Sequence, residues 1–222
     1  MIDLKSFKAL RQNMSLIVLM ILSFLSVIFA LLSSKVYLAY NETRAGWDLY
    51  DPVIESIGPI DLSTPIFLLT YGCIIIGLIC SMTTPKKLIQ TNFTILCLLV
   101  YRLLCMYLVP LEAPLDIIPL QDAFLMNTTY GNQLLVKDLF FSGHTASVVI
   151  LFYLVDHKNI SKIFLAMSVI IGSMLIMQHV HYTIDVLVAY IFAHISYLSG
   201  LWLTNKGLLY SRLFFLRMPK LA

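Results

Sequence analysis

Apolar residues in this chain come in long, nearly unbroken runs. Six stand out, at about 14–38, 62–81, 91–109, 139–155, 163–181 and 184–204. Each is close to the roughly 20 residues that a helix needs to cross a bilayer. No internal repeat or low-complexity segment interrupts them. The pattern predicts an all-α integral membrane protein with six transmembrane helices, organised as a single polytopic domain over residues 1–222. The first run follows Lys5, Lys8 and Arg11, as a signal peptide would. It extends to about Tyr40 without a clear small-residue cleavage site, so a retained first helix is expected.

Composition agrees. Of the 222 residues, 59% are hydrophobic and only 12% charged, where a soluble domain carries about 25% charged residues. The mean hydropathy is +0.88. The net charge of +3 is small and its basic residues are dispersed, so nothing points to nucleic acid as a partner. Cys73, Cys80, Cys97 and Cys105 all fall inside apolar runs. They read as packing residues rather than a disulfide or metal framework.

Charge sets the orientation. Lys5, Lys8 and Arg11 precede the first run, Lys86 and Lys87 follow the second, Lys158 and Lys162 the fourth, and Lys206, Arg212, Arg217 and Lys220 the sixth. The opposite regions hold Lys35, Arg44 and Lys137, and are rich in acid from Glu42 to Asp61 and from Glu112 to Asp138. The positive-inside rule then places both termini in the cytoplasm.

With that topology, FSGHT (Phe141–Thr145) and HYTID (His181–Asp185) lie at one membrane face, the extracytoplasmic one. Ionisable groups at the ends of membrane-length segments are costly and are functional candidates. His181 and Asp185 are four apart, so on a helix they share a face. A carboxylate on one ring nitrogen fixes the tautomer and makes the other a better nucleophile or base. His144 supplies a proton to a leaving oxygen, a role worth about 10²–10⁴ in rate. The Ser142–Gly143 turn adds backbone donors at a helix start, where an anion is favoured. The bland alternative is that each histidine caps a helix or binds water. A metal site from His144, His179, His181 and Asp185 is a further alternative, although on a helix His179 and His181, two apart, point away from each other. The reading assigns no metal and no cofactor.

KDLFFSGHT (Lys137–Thr145), HYTIDVLVAY (His181–Tyr190) and, less specifically, YRLLCMY (Tyr101–Tyr107) resemble motifs of the sphingomyelin synthase family, a branch of the PAP2-type lipid phosphatase/phosphotransferase superfamily. The likeness covers about residues 100–195. It implies six spans with the histidine pair and aspartate facing the exoplasmic or luminal side. It also implies that His181 is the nucleophile, that Asp185 orients it, and that His144 protonates the leaving diacylglycerol and then deprotonates the incoming alcohol. Asp138 takes the place of the family's Gly-Asp acid, with Lys137 and Val136 where the family has glycine and cysteine. The shortened loop and N-terminus bear on headgroup and acceptor more than on the reaction.

Arg102 is either a phosphate ligand or the partner of a carboxylate. Glu112, Asp116 and Asp122 with Tyr101, Tyr107 and Tyr130 form either a cationic-headgroup site or a solvated acidic loop. Tyr182 and Thr183 read as local packing and a helix N-cap, with Tyr182 also a candidate for substrate contact. The expected partners are a membrane phospholipid donor and a lipid alcohol acceptor, and the oligomeric state is left open. The leading function is transfer of phosphocholine or phosphoethanolamine to an alcohol such as ceramide through a phosphohistidine. A lipid phosphate phosphatase is the alternative, but the superfamily's phosphatases carry a Lys-x6-Arg-Pro motif before SGH, and no Arg-Pro pair occurs here. A non-catalytic transporter or assembly subunit is a third reading. The compact form points to a bacterial inner membrane; a eukaryotic endomembrane or plasma membrane is the alternative. In a eukaryote, Asn41–Thr43 and Asn127–Thr129 would be glycosylation triplets.

Overall fold

The computed structural model describes residues 13–120 and 135–217. Among them it contains helices α1 (Met14–Glu42), α2 (Pro52–Glu55), α3 (Ser63–Ser81), α4 (Pro85–Leu108), α5 (Gly143–Leu154), α6 (Lys158–Met177) and α7 (Thr183–Arg217), and no strand beyond an isolated bridge between Trp47 and Leu111. Local chemistry explains several boundaries. Thr84 caps α4 by accepting from the Lys87 N–H at 3.2 Å, and Pro85 occupies the first turn, where its missing N–H costs nothing. That start is six residues earlier than the apolar run alone predicts.

Five helices, α1, α3, α4, α6 and α7, are long and apolar enough to cross a membrane. The expected fourth span is instead the 12-residue α5. At 1.5 Å per residue it is about 18 Å long, short of the roughly 30 Å hydrocarbon core. Its surroundings account for this. α5 packs against α3, α6 and α7, and Gly143, Thr145, Ala146, Val148, Val149, Ile150, Leu151 and Leu154 are all buried. A helix apolar all round is an interior helix. With Leu98 and Cys105 of α4 and Ala189 and Ala193 of α7, it forms the core of the bundle. The outer helices α1, α3 and α7 expose Phe29, Val36, Leu68, Ile79, Leu187 and Trp202, a surface suited to lipid. α4 and α7 approach closely at Gly200, where a Cβ would lie 2.6 Å from the Thr94 amide nitrogen; small residues permit such contact between membrane helices.

The loops preceding α3, α5 and α7 meet at one end of the bundle. Ile60 N–H donates to Met177 O at 2.9 Å, Trp47 N–H to Pro110 O at 2.9 Å and Ile118 N–H to Gln178 O at 3.3 Å. At the opposite end Lys87 pairs with Asp156 at 2.6 Å and donates to Leu154 O. The buried Asn41 amide donates to Lys137 O at 2.7 Å, so the acceptor nitrogen of its glycosylation triplet is engaged within the fold. Asp122, Asn127 and Tyr130 lie outside the described residues.

Candidate active site

The chain entering α5 is held by α1. Glu42 Oε1 accepts from the Val136 and Lys137 amides at 2.8 and 2.7 Å, while the Lys137 ammonium reaches Glu112 at 2.8 Å and the Arg44 carbonyl. Glu112 also accepts from Gly46 N–H at 2.7 Å. The Lys137 ammonium and the Gly46 amide hold its carboxyl below the ordinary glutamate range. Glu112 is thus a strut. Tyr101 bonds Ser199 at 2.8 Å, and Tyr107 lies exposed against Arg44. The three do not assemble into a headgroup site.

This strut delivers Asp138 to Arg102 of α4, and the two form an ion pair. Of the two readings of Arg102, the carboxylate partner is observed, and the pair is only partly buried. Ser142 caps α5 by accepting from Thr145 N–H at 3.3 Å. The Arg102 guanidinium crosses the place where a Cβ on Gly143 would stand, so a side chain at this position would displace the guanidinium from where it meets Asp138. His144 follows, partly exposed, its ring edge-on to Phe67 with centroids 6.0 Å apart.

His181 precedes α7 rather than lying in it, yet the four-residue relation holds: its Nδ1 is 3.3 Å from Asp185 Oδ2. The same oxygen accepts from Tyr182 N–H at 3.2 Å. An acid in the third position of a helix reaches back to the amide before it, which is half of a capping box. His181 is 2% exposed and Asp185 fully buried. The two motifs are joined directly, the Ser142 N–H donating to Asp185 O at 3.1 Å.

Tyr182 is buried, its hydroxyl donating to Glu112 O at 3.2 Å, so it is turned toward the outer loop. Thr183 is the first residue of α7 rather than its cap. Its amide and hydroxyl donate to Asp51 at 2.6 and 3.1 Å. Burial acts to raise the Asp51 carboxyl, but bonds from Thr183, Val53 and Ile54 outweigh it and hold it below the ordinary range. His179 has a left-handed backbone (φ 58°) and faces the other way, its Nε2 2.9 Å from Ile57 O and Nδ1 3.3 Å from Leu115 O. It is unavailable to a metal site with His144 and His181. Gln178, fully buried, donates to Ser63 and Ile118 and accepts from Leu62. Sequence reasoning missed Asp51, Glu112 and Gln178 as supports, since an acid or amide in a polar loop has no local signature of its distant partner.

A cavity of about 530 Å³ adjoins the site. Arg102, Asp138, Gly143 and His144 form its polar part, and Leu31, Leu38, Ile74, Leu99 and Leu103 are among its apolar walls. It lies between α1, α3 and α4. Leu31, Leu32 and Lys35 are exposed where they line it, so its mouth is in the membrane-length part of α1. His181 does not line it; the site has an accessible half around His144 and a buried half at His181–Asp185.

Residues 137–200 match a family profile described as PAP2 superfamily C-terminal. The match takes in both histidine motifs and supports a PAP2-type lipid phosphatase or phosphotransferase. Together with the apolar helices it fits a multi-pass integral membrane protein. No curated protein and no solved structure matches the chain.

Proposed function

We propose that this protein is a lipid phosphotransferase of the sphingomyelin synthase-like kind, working at the extracytoplasmic face. The observation that carries the reading is the amphipathic cavity at membrane depth, whose polar end holds His144 beside the Arg102–Asp138 pair, one hydrogen bond from the helix start bearing His181 and Asp185. The apolar walls suit acyl chains and the polar end suits a phosphate.

In the first step Nε2 of His181 attacks phosphorus of a glycerophospholipid. Asp185 accepts from Nδ1–H and balances the charge that the ring gains. The P–O bond to diacylglycerol breaks, and His144 gives its proton to that oxygen. The headgroup phosphate is then held as a P–N bond on His181. In the second step His144 takes the proton of a lipid alcohol such as ceramide, the alkoxide oxygen attacks phosphorus, and the P–N bond breaks. Phosphocholine or phosphoethanolamine has moved, and both histidines return to their starting states. His181 is buried at rest, so the donor must displace side chains between the cavity and Nε2. Catalytic hydrogen bonds are often long before substrate arrives, and the 3.3 Å His181–Asp185 contact fits that state.

The decisive experiment uses purified protein in liposomes with labelled phosphatidylcholine or phosphatidylethanolamine plus ceramide. A labelled phosphosphingolipid is the expected product. Release of free headgroup phosphate would make the protein a hydrolase, and no reaction with either donor would overturn the proposal.

Orientation is part of the same proposal. Six crossings, with α5 and the extended residues around it completing the fourth, put both termini in the cytoplasm. A cysteine introduced near Asp51 should react with an impermeant thiol reagent on intact cells, and one near Lys87 should not, because Lys/Arg is concentrated at the Lys87 end. Labelling near Lys87 from outside would place the site on the wrong face.

A further inference from the structure

Lys35 belongs to none of the motifs above. It sits within α1 among Leu31, Leu32 and Leu38, in a helix long and apolar enough to cross a membrane. An ionisable residue in such a segment is costly and asks for a reason. It lines the 530 Å³ cavity together with Arg102, Asp138 and His144. Its depth matches theirs. α1 and α4 end level, since the Arg44 guanidinium just beyond α1 donates to the Met106 and Tyr107 carbonyls at 3.4 and 3.2 Å. Lys35 is seven residues before Glu42 and Arg102 six before Leu108, which puts them about 10 and 9 Å below those ends at 1.5 Å per residue. Arg102 is already paired with Asp138. Lys35 has no hydrogen bond or ion pair with any described residue.

We propose that Lys35 binds the phosphate of the donor lipid as it enters the cavity between α1 and α3. The inference rests on the lipid-phosphotransfer reading and deepens it by naming the charge class of the donor. Lys35 and Arg102 set against Asp138 leave one net positive charge, leaving aside His144, whose charge changes during the reaction. One charge balances a phosphodiester, whereas a dianionic monoester would retain an uncompensated negative charge in an apolar surround. The cavity therefore selects phospholipids with esterified headgroups. The competing role for Lys35 is that of an interfacial anchor, its stem in the apolar layer and its ammonium drawn up to the membrane surface.

The test is steady-state turnover in liposomes with the mole fractions of phosphatidylcholine and ceramide varied separately. Lys35→Met keeps the length and apolar character of the stem. It should raise the half-saturating fraction of phosphatidylcholine about tenfold, the scale of one charge-assisted hydrogen bond. The ceramide dependence and kcat should stay within about twofold, and Lys35→Arg should restore donor saturation. Retained kcat also certifies that the variant is folded. Unchanged phosphatidylcholine saturation in active Lys35→Met, or equal shifts for donor and ceramide, would overturn the inference and leave phosphotransfer standing. If Lys35→Met is lost to misfolding, Lys35→Arg and Lys35→Gln decide: charge-dependent donor saturation supports the inference, and equal saturation in both overturns it. A wild-type protein that neither turns over phosphatidylcholine nor is cross-linked by a photoactivatable phosphatidylcholine would overturn the phosphotransfer reading itself.

Discussion

Replacing His181 with alanine should lower phosphoryl transfer by on the order of 10³-fold or more and remove any acid-labile labelled phosphoenzyme, because the proposed mechanism forms the P–N bond on His181 and gives His144 only proton transfer. The fold should survive. Asp185 Oδ2 keeps the Tyr182 N–H, and its backbone carbonyl keeps Ser142, so the junction of the two motifs does not depend on the imidazole. Circular dichroism and a monodisperse detergent complex check this. Asp185→Asn should cost about as much as it does in other His–carboxylate pairs, roughly 10⁴-fold, since an amide no longer selects the tautomer with hydrogen on Nδ1. Near-normal turnover in His181→Ala would sink the covalent mechanism.

His144→Ala should slow phosphoenzyme formation from an ordinary phospholipid by about 10²–10⁴, the usual worth of a general acid. It should slow formation far less from a nitrophenyl phosphodiester, whose leaving group departs without a proton. His181 would then still be phosphorylated, and the block would move to deprotonation of the acceptor. The motive is the position of His144: partly exposed at the head of α5 and at the polar end of the cavity, where a leaving oxygen would lie. Rapid-quench measurement of the labelled enzyme with both donors separates the cases. Equal losses with good and poor leaving groups would make His144 a binding or structural residue.

Much of this protein was legible without coordinates because the relevant signals are local. A membrane helix is declared by some 20 consecutive residues, and α1, α3, α4, α6 and α7 all overlap apolar runs visible in the sequence. The His181–Asp185 contact spans four positions, so it formed although His181 proved to precede the helix. Ser142 at the head of α5 is a local cap too, with its partner three residues away, although its turn reads in the sequence only as a source of backbone donors for an anion.

What only the tertiary structure decided involves partners far apart along the chain. Hydropathy reads about 139–155 as a full-length helical span, but it does not show that the helix is enclosed by α3, α6 and α7 and stops after 12 residues. Arg102 could serve phosphate or carboxylate until the folded loop brought Asp138 beside it. Thr183 read as a helix cap, and Asp51, Glu112 and Lys137 as charges of the outer region, until packing tied Asp51 to Thr183, 132 residues away, and Lys137 to Glu112. His179 and His181 are neighbours in sequence, yet a left-handed residue sends one to the outer carbonyls and leaves the other on Asp185. Lys35 shows the same division: its charge inside an apolar run is plain in the sequence, but only the packing of α1 and α4 sets it at the depth of Arg102. Helix formation and the apolar length needed to cross a membrane depend on neighbours within a few positions, so most of that was legible in the sequence. Ion pairs, cavities and side-chain direction depend on which helices pack together, and that is settled only when the whole chain is folded.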